Sequence, residues 1–90
     1  MPESSEDAVT LSGDLHARPA ASLAIAAAKF QSSIELVADG SRADAKSVIS
    51  VMGIGATTGQ QVTVHATGPD AAEAVAALIT ILSAATEVGA

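Results

Sequence analysis

The chain is 90 residues long with a formal net charge of −6, 49% hydrophobic residues, 1% aromatic residues and no cysteine. That length sets one small domain with a modest core of Ala, Val, Ile and Leu, and leaves little room for a deep substrate cavity. The charge excludes a nucleic-acid or anionic-membrane binder, whose Lys and Arg must cluster to neutralise phosphates, since Arg18, Lys29, Arg42 and Lys46 are the only basic residues.

The absence of cysteine excludes disulfides, thiolate metal sites and cysteine nucleophiles. The opening "MPESSEDA" is acidic and polar, unlike a secretory signal, and its first six or so residues are expected to fray. The apolar stretches "AASLAIAAA" and "AVAALITILSAA" are too short to span a bilayer, so a cytoplasmic location is expected.

The alternation of Val9 and Leu11 in "DAVTLS" predicts a first strand, closed by the turn signal "GD". Residues 17–30 are rich in Ala and Leu with no internal glycine, and predict a helix. "SSIELVAD" predicts a strand with Ile34, Leu36 and Ala38 on one face. Asp39-Gly40 is a hairpin signal, which makes "SRADA" the partner strand. "KSVISVMGIG" is short, apolar and closed by glycines, and predicts a helix of about two turns. "QQVTVHAT" predicts a strand with Val62 and Val64 facing inward and His65 facing out. The last segment opens with Pro69, Asp70 and Glu73 and closes at Gly89; Ala71, Val75, Leu78 and Leu82 fall on one helical stripe. The order is β-α-β-β-α-β-α. It predicts a two-layer α+β domain over residues 1–90, one sheet with its helices packed on one face and at least the hairpin antiparallel.

His16 falls where the first turn gives way to a helix. The first N–H groups of that helix have no internal partner, so those of Ala17 and Arg18 are free for an anion. Pro19 has no N–H to leave unsatisfied and is tolerated in the first turn. The guanidinium of Arg18 adds permanent charge and a fork of donors that matches a phosphoryl group. The positive end of the helix disfavours a second positive charge and favours the uncharged ring, whose lone pair can attack phosphorus. His16 and Arg18 therefore suit acceptance and stabilisation of a phosphoryl group, with Ala17 and Arg18 supplying a backbone anion cradle. Taken alone, a histidine at a helix start is also an ordinary cap or surface residue.

"LHARPAA" at residues 15–21 and "KSVISVMGIGA" at residues 46–56, with the "DG" hairpin and "VHATGPDAAEAVAAL" in order, resemble the HPr family, the histidine-containing phosphocarriers of the bacterial sugar phosphotransferase system. The resemblance covers nearly the whole chain. It implies an open-faced β-sandwich, a four-stranded antiparallel sheet with three helices on one face. It also implies a stoichiometric carrier, not an enzyme, with no cofactor. Phospho-Enzyme I would give its phosphoryl group to Nδ1 of His16, Arg18 would assist, and the IIA component of a sugar permease would receive it. A monomer is expected, with neither nucleic acid nor membrane insertion.

Ser47 aligns with a serine that a kinase phosphorylates in some lineages of the family. It equally suits the cap of the second helix, and both readings stand. The resemblance implies partner docking on that helix through Val48, Ile49 and Met52, since a helix this short cannot bury all its apolar residues; the alternative is that Met52 and one valine simply complete the core. The alternatives to sugar transport are a paralogous carrier in a nitrogen-related or dihydroxyacetone-kinase phosphorelay, or a regulatory module that no longer transfers phosphate.

One residue departs from the family pattern. Glycine is usual directly before the aliphatic residue that precedes the histidine, whereas this chain has Asp14. A carboxylate there would oppose an incoming phosphoryl group, while the simpler reading is an outward-facing turn residue using the left-handed backbone that Asp tolerates. His65 is read as an exposed strand histidine, since no partner has metal-ligand spacing in the sequence, and no metal site is expected. Asp7, Glu35, Asp44, Glu73 and Glu87 are read as solvated surface.

Overall fold

The computed structural model describes residues 3–85. The element order is β1 (Ser4–Thr10), α1 (Ala17–Ala27), β2 (Ser33–Ala38), β3 (Ser41–Asp44), α2 (Val48–Gly53), β4 (Gln61–Thr67) and α3 (Ala71–Ala85). The four strands form one sheet in the order β1-β4-β2-β3, and every neighbouring pair is antiparallel. The three helices cover one face. The expected architecture is the observed one.

Strand alternation explains the two layers. Ile34, Leu36 and Ala38 of β2 and Val62, Val64 and Ala66 of β4 are buried under the helices, because successive side chains of a strand point to opposite faces. The pairs Ile34 with Ala66 and Leu36 with Val64 put these residues side by side. The helices answer with Ala20, Leu23, Ala24 and Ala27 from α1 and Ala71, Ala74, Val75, Leu78 and Leu82 from α3. The stripe expected on α3 is thus the buried one. Alanine is so frequent in these faces that helix and sheet approach closely, and a core almost without aromatics still fills.

The hairpin between β2 and β3 closes through Asp39 (φ 49°) and Gly40 (φ 81°). Two positive φ angles in succession match the right-handed twist of the flanking strands, which is why the Asp-Gly pair is so strong a signal.

Several ends differ from the sequence reading. β1 begins at Ser4, and Ser4, Ser5 and Glu6 pair with Thr67, Ala66 and His65, so the stretch expected to fray is in register with β4. Helix α1 stops at Ala27, three residues early. Lys29 N–H and Phe30 N–H turn back to the carbonyls of Ala26 and Ala27, tightening the last turn. The next two N–H groups, of Gln31 and Ser32, donate to the Asp70 carboxylate at 2.9 Å each. A side chain almost forty residues away therefore ends the helix. Asp70 accepts the first bond of α3 through its carbonyl, from Ala74 N–H at 2.9 Å. The end expected for the last helix at Gly89, and Glu87, lie outside the described residues.

Candidate functional site

His16 is the N-cap of α1, with extended backbone (φ −85°, ψ −176°), and its side chain makes no capping hydrogen bond. The imidazole is instead held out in solvent, its side chain 77% exposed. Its carbonyl accepts the first helical bond, from Ala20 N–H at 3.0 Å. Among the described residues, the N–H groups of Ala17 and Arg18 have no partner, and the exposed Arg18 side chain makes no hydrogen bond or ion pair. Pro19 follows in the first turn, where its missing N–H costs nothing. One exposed histidine, two open backbone donors and an unengaged guanidinium thus share the positive end of an 11-residue helix.

The loop that delivers His16 is fastened to the segment between α2 and β4. Leu11 N–H donates to Gln60 carbonyl and Gly59 N–H to Leu11 carbonyl, both at 2.9 Å. Leu15 N–H donates to Ala56 carbonyl at 3.0 Å, and the Leu15 side chain is buried in the core. Exposed His16 and buried Leu15 are therefore set back to back. The two signature stretches of the sequence meet here, the first supplying the histidine and the second the ledge that carries it.

Asp14 corrects the sequence reading. Its Oδ1 accepts from Thr58 N–H at 2.8 Å and from Thr58 Oγ1 at 2.9 Å, and its Oδ2 lies 3.9 Å from His16 Nε2. It is a tethered residue beside the histidine, not an idle outward one. No left-handed backbone is needed either, because Asp39 is the only non-glycine with positive φ among the described residues. The Thr58 backbone N–H, then the Thr58 hydroxyl, hold the Asp14 carboxyl below the usual carboxylate range, with a smaller contribution from His16. Asp14 is therefore ionised at neutral pH.

Ser47 is the N-cap of α2, and its Oγ accepts from Ser50 N–H at 3.2 Å. Ser50 Oγ in turn accepts from Asp44 N–H at 3.0 Å, and Lys46 Nζ donates to Phe30 carbonyl at 2.9 Å. These bonds staple the start of α2 to the end of β3 and to the α1–β2 turn. Within α2, Val51 fills the core and Val48 is half-buried against it, while Ile49 is 84% exposed and Met52 45% exposed. Helix α2 packs beside α1. The exposed apolar pair is therefore carried by the helix adjacent to the one that begins at His16.

His65 lies on the helix-free face, as the alternation requires, but is half-buried rather than exposed as the sequence reading had it. The sheet register sets Glu6 and Glu35 directly opposite it on either side, carboxylates that sequence spacing could not bring there. Glu35 is engaged by Arg42 Nη1 at 3.0 Å, so it is not simply solvated. No group of three ligating side chains suited to a metal ion occurs among the described residues.

Thr58, Ser32 and Asp70 are the residues that sequence reasoning missed. Each acts through a partner about forty residues distant, and no local pattern marks such a pair.

The family model for the phosphotransferase-system HPr component phosphorylation site matches residues 4–84. The chain is 42% identical over 64 residues to the phosphocarrier protein HPr of Mycoplasma capricolum, covering 71% of this chain and 72% of that protein. Its fold superposes on a mycoplasma histidine-containing phosphocarrier protein with a TM-score of 0.81 and 32% identity, over 98% of this chain and 100% of the other. A phosphocarrier protein HPr from Bacillus anthracis gives a TM-score of 0.79 and 33% identity, over 91% and 98% of the two chains. The match spans the whole sheet, all three helices and both signature stretches, and the chain belongs to the HPr family of phosphocarriers of the phosphotransferase system.

Proposed function

We propose that His16 accepts a phosphoryl group on Nδ1 from phospho-Enzyme I and passes it to the IIA component of a sugar permease. The observation that carries this reading is the exposed, uncapped imidazole at the start of α1 beside the free Arg18. In the acceptance step the Nδ1 lone pair attacks phosphorus. A P–N bond forms as the bond between phosphorus and the donor atom of Enzyme I breaks, and the donor keeps that electron pair. Little covalent chemistry is asked of the carrier, because such transfers depend on alignment and charge compensation. Arg18 and the N–H groups of Ala17 and Arg18 are suited to the phosphoryl oxygens. An exposed ring also suits a protein that meets two partners in turn, since a buried one could be reached by neither.

Docking through Ile49 and Met52, with half-buried Val48 beneath them, belongs to the same reading. An exposed Ile and Met on a six-residue helix offer apolar area that folding does not use, and Met adapts to more than one partner surface. Ser47 is a cap in its own right. A kinase that phosphorylated it would break the Ser47–Ser50 bond and add negative charge beside Ile49, weakening the approach of acidic partners. A cytoplasmic setting is part of this proposal. Among the described residues no helix is long and apolar enough to cross a membrane.

The test is onward transfer. Protein labelled by Enzyme I and phosphoenolpyruvate is mixed with a purified IIA component, and label on each is followed over time. Label should leave this chain as it appears on IIA, and Arg18→Ala should slow both steps. Label that enters and never leaves in the presence of several IIA proteins would instead favour a regulatory module. Incubation with ATP and a cell extract should give an acid-stable phosphate that Ser47→Ala abolishes; none under any metabolite condition would remove the regulatory claim.

A further inference from the structure

We propose that Asp14 is a positioning residue for the transfer: held by Thr58, its carboxylate faces Nε2 of His16 and keeps the ring proton there, leaving the Nδ1 lone pair for phosphorus. The inference rests on the carrier reading above and adds to it a residue where the family usually has none. Three observations carry it. Oδ1 is fixed by both the N–H and the hydroxyl of Thr58, at 2.8 and 2.9 Å. The two loops that bear Asp14 and Thr58 are themselves joined on either side, by the Leu15–Ala56 and Gly59–Leu11 bonds. The second oxygen, Oδ2, is then directed to the Nε2 edge of the imidazole, 3.9 Å away.

A carboxylate attracts an N–H and repels a lone pair. At 3.9 Å it lies beyond direct hydrogen-bond range, which ends near about 3.2 Å for N–H to O. It therefore acts through space, and a small rotation of the exposed ring closes the gap. The neutral ring has one proton and one lone pair, and the group facing one nitrogen decides which nitrogen holds which. With the proton on Nε2, attack leaves a ring that carries positive charge, phosphorus on Nδ1 and the proton still on Nε2. Asp14 faces that charge. Because Nδ1 and Nε2 lie on different edges of the ring, the phosphoryl oxygens are farther from the carboxylate than the ring proton is. That separation lessens the repulsion that sequence alone suggested. For unit charges about 4 Å apart in water the effect is about fivefold in an equilibrium, and salt reduces it because both side chains are exposed.

The experiment compares the wild type with Asp14→Asn and Asp14→Gly, each labelled with 15N at histidine. The ring-nitrogen shifts of the neutral form report which nitrogen carries the proton, and His65, remote from Asp14, serves as the internal reference. Asp14→Asn keeps an oxygen for Thr58 but turns an amide donor toward Nε2, so the proton should move to Nδ1. The ratio of Nε2-protonated to Nδ1-protonated ring should fall relative to wild type, by up to about the fivefold unit-charge limit, with Asp14→Gly between the two. The initial rate of Nδ1 phosphorylation by Enzyme I should follow the same order. His65 shifts and amide spectra away from residues 13–18 and 56–60 should stay in place, which separates positioning from damage to the fold. Equal tautomer ratios at His16 in all three proteins would overturn the proposal while leaving the carrier reading intact. Failure of the wild type to accept phosphate at all would overturn the carrier reading, whatever the tautomers show.

Discussion

Gly68→Ala tests whether the lock between β4 and the α1–β2 turn is as tight as its geometry. Gly68 has φ 147°, a conformation that L residues rarely adopt. A Cβ built there would lie 2.6 Å from Ser32 Oγ, 2.7 Å from Ser32 Cα and 2.9 Å from Ser32 Cβ. The hydroxyl alone could swing aside, but the backbone atom cannot. Ser32 is 1% exposed, and its N–H and hydroxyl are both tied to Asp70 Oδ1. Relief of the clash would therefore pull Asp70 from the start of α3. The strained φ and the overpacking together cost about 2–4 kcal/mol. For a domain of this size each kcal/mol is worth about 4–8 °C, so Tm should fall by about 8–32 °C. Thermal unfolding followed by circular dichroism, with urea unfolding as a second probe, measures it. Below the melting range His16 should still accept phosphate, since Gly68 lies at the far end of β4 from the His16 loop. A loss under about 1 kcal/mol would mean that the Ser32 backbone yields and that the lock reasoning is wrong.

Acid should weaken the fold through Asp70 and Asp14. Hydrogen bonds, led by the Ser32 hydroxyl for Asp70 and the Thr58 N–H for Asp14, place both carboxyls below the ordinary value of 3.8. Their contribution to stability is thus complete above about pH 4 and disappears as the pH falls through the lowered folded-state values. Urea midpoints at pH 7, 4.5 and 3 should show that loss only at the lowest pH, and Asp70→Asn should flatten it. Ser47→Ala removes the α2 cap and should cost about 0.5–2 kcal/mol, read as a lower urea midpoint at an unchanged slope; no change would mean that the Ser50 bond contributes nothing. Ile49→Asp should leave the urea midpoint within about 0.5 kcal/mol of wild type, as for other exposed positions, yet weaken Enzyme I binding by calorimetry. Unaltered affinity would remove α2 from the docking surface.

The fold was legible where the pattern is local. Val62 and Val64, Ile34 and Leu36, and the stripe from Ala71 to Leu82 declare their faces by period alone, and Asp39-Gly40 declares its hairpin. What escaped was long-range. Nothing near Phe30 announces that Asp70 will take the N–H groups of Gln31 and Ser32 and end α1 there. Nothing near Asp14 announces Thr58, so its carboxylate read as a loose turn residue. Similarly, Glu6 and Glu35 flank His65 only once the strands pair. The candidate site was legible to the extent that it is contiguous: His16, Ala17, Arg18 and Pro19 form one helix start, and the physics of helix starts is local. The ledge beneath it, residues 56–60, belongs to another part of the chain, and its hydrogen bonds to Leu11, Asp14 and Leu15 are tertiary.

The most direct measurement locates the phosphoryl group itself. The protein is incubated with Enzyme I and labelled phosphoenolpyruvate, cleaved under mildly basic conditions, and its labelled peptide sequenced. A single acid-labile, base-stable label is expected on the peptide containing His16, absent from His16→Ala and intact in His65→Ala. Label that survives in His16→Ala, or none on the wild type with active Enzyme I, would contradict it.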